Sequence, residues 1–174
     1  MKWNNKKSIH LIIDIMLLGI LIFVDQFTKY QAVKYLKDKP AKVLINGVFE
    51  LNYLENRGAA FGMFQNQKIL FVIIAIFMLF AVGYVLFKMP MTRKYKFLEF
   101  ILVFISAGAI GNMIDRVRIS YVVDFFYFIL INFPIFNVAD IYVSVSCVIL
   151  AILILFYYKE EDFAFLTRRK IKES

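Results

Sequence analysis

Four apolar runs, at residues 9–24, 69–87, 97–114 and 135–158, divide this 174-residue chain. Each reaches or approaches the roughly 20 residues that a helix needs to cross the hydrocarbon core of a bilayer. With 61% apolar residues and a mean hydropathy of +0.71, the chain cannot be an ordinary soluble domain, where roughly half the residues are apolar. The expected fold is therefore membrane all-α, four transmembrane helices in one domain spanning residues 1–174. The first run is short and carries Asp14, about 9 Å into it at ~1.5 Å per residue. That depth lets Asp14 reach the near interface or a neighbouring helix. The basic start (Lys2, Lys6, Lys7) suits a signal peptide, but Val24-Asp25-Gln26-Phe27 is no small-residue cleavage site. The segment is read as a retained helix.

Charge sets the expected topology. If the N-terminus is cytoplasmic, four helices place both termini and the turn at residues 88–96 inside. Twelve of the 21 Lys and Arg then lie inside, and seven of the remaining nine fall in the long first outer loop. Long loops weigh less in orientation than short flanks. The net charge of +8 accordingly reads as anchoring to anionic lipid, since nucleic-acid binding needs a polar basic face that this chain lacks.

The first outer loop, about residues 25–68, has structure of its own. Lys29, Lys34 and Lys37 alternate with Phe27, Tyr30, Val33, Tyr35 and Leu36, the pattern of an interfacial helix. Two β-prone runs then flank Asn46-Gly47, the strongest short-range hairpin signal, so a small extracytoplasmic β-sheet is expected. Asn56-Arg57-Gly58-Ala59-Ala60-Phe61-Gly62 follows, and its glycines and alanines permit close backbone approach or an ordinary surface turn. The second outer loop, about residues 115–136, is short and aromatic and contains Asp124.

Few residues can carry chemistry. One His (His10) and one Cys (Cys147, within the fourth run) stand at places that assemble no Ser-His-Asp or Cys-His pair and no zinc spacing. The lone cysteine also rules out a disulfide framework. Paired carboxylates are the most economical catalyst left. Asp124 lies between Val123 and Phe125 with no basic neighbour nearer than Arg118, and an ionisable group beside apolar stretches is a functional candidate by default. Asn137 stands where the fourth helix should begin, a plausible N-cap. Asp140 is then at N3, where the helix dipole alone could account for it. Asn112 and Arg116, four apart, share a helix face with Asp115 beside them. They could hold a peptide or carboxylate in register, or Arg116 could be an interfacial residue with Asp115 as its local partner. Asp25 and Lys29 are four apart in the favourable ion-pair order, which suits support of the first helix. Gly108 suits close helix packing.

The motifs Asp25-Gln26-Phe27-Thr28-Lys29, Asn56 to Gly62, Gly111-Asn112-Met113-Ile114-Asp115-Arg116, Val122-Val123-Asp124-Phe125 and Phe136-Asn137-Val138-Ala139-Asp140 occur in this order. Together, on four spans, they resemble those of the bacterial lipoprotein signal peptidases, also called signal peptidase II or prolipoprotein signal peptidase, over about residues 14–158. The resemblance implies an aspartic endopeptidase of the cell membrane, and the basic flanks at residues 2–7, 88–96 and 159–172 place both termini in the cytoplasm and the two aspartates on the outer face. Asp124 and Asp140 match the catalytic aspartates. Asn56, Gly58, Asn112, Arg116 and Asn137 match positions lining the substrate pocket, while Asp25, Lys29 and Asp115 match supporting positions. The implied substrate is a diacylglyceryl-modified prolipoprotein, cut just before the lipidated Cys without metal or organic cofactor. The implied inhibitors are cyclic peptides of the globomycin type. A reading from another class is a small proton-coupled transporter or channel subunit, with Asp124, Asp140 and Arg116 on an ion path. Against it, these charges gather at one edge, whereas transport sites lie near the midplane. A purely structural scaffold would leave Asp124 without a reason.

Overall fold

The computed structural model describes residues 5–58 and 64–166, with side chains described from residue 9 onward. Its elements are α1 (Asn5–Leu36), β1 (Lys42–Ile45), β2 (Phe49–Asn56), α2 (Lys68–Lys88), α3 (Lys96–Ile119), β3 (Val122–Tyr127) and α4 (Val138–Phe156). Short 3-10 turns cover Arg93–Tyr95, Ile129–Ile131 and Glu160–Leu166. Four of the helices are long and apolar enough to cross a membrane, as the four runs require.

The boundaries differ from the runs for physical reasons. The first run ends at Val24, but α1 continues to Leu36. The stretch expected as an interfacial helix end is the last turns of α1, because no Gly or Pro interrupts it before Pro40. Helix α3 continues past the third run to Ile119 and ends on Ser120, whose φ is +69°. The fourth run opens at residue 135, yet α4 starts at Val138 because Asn137 caps it.

Helix α3 is the axis of the bundle. Leu98, Ile101, Leu102, Val103, Ile105 and Ala107 are all buried on it, whereas α1, α2 and α4 turn most of their apolar side chains outward. That inversion is what a bilayer allows, since lipid tails are as apolar as the core. Two glycines set the closeness of α3 to its neighbours. A Cβ on Gly108 would lie 2.5 Å from the Ala139 carbonyl oxygen and 2.6 Å from Val143 Cγ2 on α4, and one on Gly111 would strike the Asp25 carboxylate on α1.

The strands form one antiparallel sheet in the order β1-β2-β3. The β1–β2 hairpin turns at Asn46-Gly47 as expected, with Gly47 at φ +69°. The third strand was not foreseen. Val122–Tyr127 pairs with β2 in a register that sets Asn56 opposite Val122 and Leu54 opposite Asp124. Val123 and Phe125 bury against Ala32 and Leu36 of α1, which ties the sheet to the end of the bundle.

Candidate active site

Asp124 is 1% exposed. Asn56 stands opposite Val122, so Asp124 is its diagonal neighbour on the same sheet face. The Asn56 amide donates from Nδ2 to Asp124 Oδ2 at 2.8 Å. Its own oxygen accepts from the Gly58 N–H at 2.9 Å, which fixes the amide so that its N–H end faces the carboxylate.

The second carboxylate comes from a capping box. Asn137 Oδ1 accepts from the Asp140 N–H at 3.0 Å, and Asp140 Oδ2 accepts from the Asn137 N–H at 3.1 Å. The N-cap and N3 positions expected from the sequence are therefore those observed. Asn137 does more than cap. Its Nδ2 donates to Asp124 Oδ1 at 2.6 Å, so one residue holds both carboxylates. Asp140 Oδ1 accepts from Asn112 Nδ2 at 2.8 Å.

Behind this layer Lys29, 3% exposed, lies 3.0 Å from both Asp25 Oδ2 and Asp115 Oδ2 and donates to Asn112 Oδ1 at 2.9 Å. Asp25 also accepts from the Ala139 N–H of α4 at 3.0 Å, and Asp115 from the Val123 N–H of β3 at 3.2 Å. Gln26 donates to both carboxylates. The Asp25–Lys29 helix pair thus forms as its spacing implies and goes on to join α1, α3, α4 and β3 in one buried polar knot. The local Asp115–Arg116 partnership does not form. Asp115 turns inward to Lys29, whereas Arg116 donates to the Gly58 carbonyl at 3.2 Å and lies 4.6 Å over the Phe71 ring.

One cleft of about 380 Å³ collects these groups: Asn56, Gly58, Asn112, Arg116, Asp124 and Asp140 all line it. Asn137, matched to a pocket-lining position by resemblance, does not. It is fully buried and acts from behind the wall. The rest of the lining is mostly apolar, formed by Val122, residues 133–136 and Ile141 and Val145 of α4, with Ser144 as its one polar side chain. The sequence reading missed Ser144, although its i+4 spacing from Asp140 places both on one helix face. It also missed Gln26. Asp14 does not line the cleft; its side chain meets Glu99 of α3. Residues 59–62 of the glycine and alanine motif lie outside the described residues.

Burial, and next the charge of Asp140, push the Asp124 carboxyl up to about 7, against the pull of the Asn56 and Asn137 amides and Lys29. Two carboxyls on one cleft, one of them near neutrality, can share a proton and work as acid and base.

The sequence matches the family model described as signal peptidase (SPase) II over residues 17–156. A lipoprotein signal peptidase of Caldanaerobacter subterraneus subsp. tengcongensis is 44% identical over 82% of this chain and 95% of that one. Another, from Clostridioides difficile, is 41% identical over the same shares. A solved bacterial membrane enzyme superimposes with a TM-score of 0.73 at 27% identity, covering 91% of this chain and 94% of that one. A second gives 0.71 at 30% identity over 83% and 94%. The transporter alternative finds no support among these relatives.

Proposed function

The chain belongs to the signal peptidase II family, whose members remove signal peptides from prolipoproteins, and on that premise we propose that Asp124 and Asp140 are its catalytic pair. The observation that carries this reading is the double hold of Asn137. The buried Asn137 presents its side-chain N–H to Asp124 while its backbone N–H binds Asp140, and both carboxyls line one cleft.

One carboxylate takes a proton from water as its oxygen attacks the scissile carbonyl carbon. The other, protonated, gives its proton to the carbonyl oxygen. The tetrahedral adduct then collapses: the unprotonated carboxylate takes the proton of one hydroxyl as the C=O re-forms, the C–N bond breaks, and the protonated carboxyl gives its proton to the leaving amine, which restores the pair. A shared proton near neutral pH is what this exchange requires. Gly58, Asn56 and Arg116 border the cleft and position the peptide backbone. Asn112 holds Asp140 and the supporting knot of Asp25, Lys29 and Asp115 holds Asn112. No metal or organic cofactor enters this scheme.

The substrate proposed is a precursor whose Cys carries diacylglycerol, cut on the N-terminal side of that Cys. Acyl chains buried beside the cleft contribute roughly 0.8 kcal/mol per methylene to positioning, and the apolar wall of α4 faces that task. The whole chain acts as one peptidase domain in the cell membrane among its lipids, with both termini cytoplasmic and the cleft on the outer face. Globomycin-type cyclic peptides would occupy the same cleft, and no nucleic acid takes part. The test is incubation of purified protein with lipidated and unlipidated precursor. Release of the signal peptide from the lipidated form, with little from the other, supports the reading. Equal rates on both would refute the lipid requirement.

A further inference from the structure

The connection between β3 and α4 displays apolar side chains that the fold does not use. Residues 125–139 contain no charged side chain. At its tip Leu130 and Ile131 are each 68% exposed, flanked by Phe128, Ile129 and Phe133, which are also exposed. A contiguous apolar patch of this kind marks a contact surface.

The tip is braced from within. The Asn132 N–H reaches the Ile129 carbonyl at 3.1 Å and the Phe133 N–H the Phe128 carbonyl at 3.1 Å. The Tyr127 hydroxyl donates to Asn132 Oδ1 at 2.7 Å. Phe128 sits against Phe49 and Phe136, with ring centroids 4.7 and 5.9 Å apart. Irregular backbone enters an apolar layer only where its polar groups are met inside the protein, and this turn meets several of its own. The segment also leads directly into the membrane-crossing helix α4, where the exposed apolar surface runs on from the cleft residues Ile141 and Val145 to Val148, Ile149 and Ile152. The tip therefore extends the lipid-facing surface of the bundle.

We propose that Leu130 and Ile131 are seated among the acyl chains of the leaflet toward which the cleft opens. Phe133 and Pro134, which line the cleft, then hold its mouth at the depth of the lipid tails. The occupant is lipid rather than a second copy of the chain, because the patch has no charged side chain that would set a register with a protein partner, because the Asn132 oxygen is already taken up by the Tyr127 hydroxyl, and because it continues a surface that already faces lipid.

The test uses full-length protein with Cys147→Ser, so that Ile131→Cys provides the single thiol for an environment-sensitive fluorophore, in phosphatidylcholine vesicles. Nitroxides on lipid acyl chains should quench this probe at least twofold more than one at Lys39→Cys, and aqueous iodide should quench it less. The result should persist when the protein-to-lipid ratio falls tenfold. Strong iodide quenching without nitroxide quenching would overturn the proposal by placing the tip in water. Shielding lost on dilution would overturn it in favour of a second copy. Leu130→Cys gives an independent readout should Ile131→Cys fail to fold. None of these readouts involves cleavage, so failure of the peptidase reading would be seen separately.

Discussion

Asp124→Asn separates the chemistry of the site from its burden on stability. Burial and the neighbouring Asp140 charge hold the Asp124 carboxyl near 7, against 3.8 for a free side chain. The folded state therefore binds its proton more tightly than the unfolded one. A raised carboxyl of this kind favours folding fully below about pH 4, and the contribution is lost as pH rises through about 7. Three units at about 1.4 kcal/mol each give a swing of at most about 4 kcal/mol between pH 4 and pH 8. Asparagine does not titrate. Its amide would also point an N–H at one of the donors now facing the carboxylate, Asn56 or Asn137, costing roughly 1–3 kcal/mol at every pH. The secure quantity is thus the change with pH. The melting temperature of the variant relative to wild type, in detergent, should climb between pH 4 and pH 8 by the equivalent of about 2–4 kcal/mol. A difference that stays constant, or falls, would show that Asp124 is already ionised without strain in the folded protein and would remove the basis for a shared proton.

Asp124→Asn and Asp140→Asn should each abolish signal-peptide release, and the double variant should be scarcely worse, because groups acting as one unit are strongly non-additive; rates on lipidated precursor measure this. Lys29→Met leaves the buried Asp25 and Asp115 carboxylates without their cation and should cost about 3–5 kcal/mol, read as a lowered melting temperature that Asp115→Asn in the same chain partly restores. Gly111→Ala drives a methyl into the Asp25 carboxylate, which is pinned by Lys29, Gln26 and Ala139, and overpacking there should cost roughly 1–3 kcal/mol in the same assay. A thiol placed at Asn66 should react with an impermeant reagent in intact cells, and labelling only after the membrane is opened would reverse the proposed topology.

What the sequence determined by itself was local. Apolar length dictated the four spans, Asn46-Gly47 the hairpin, and Asn137 with Asp140 the start of α4, since each depends on neighbours within a few residues. The ordered motifs also picked out both aspartates. Their arrangement was decided elsewhere. Pairing of β3 with β2, some seventy positions away in the chain, sets Asp124 beside Asn56, and nothing near Val122–Tyr127 signals a strand partner. Gly111 admits the Asp25 carboxylate between helices, so Asp115 turns to Lys29 instead of its sequence neighbour Arg116. Asn137, legible as a cap, became the clamp on both carboxylates only once α4 met β3. Buried charges in a bilayer must find partners inside the protein, and which partners they find is fixed by how helices and sheet meet across the fold.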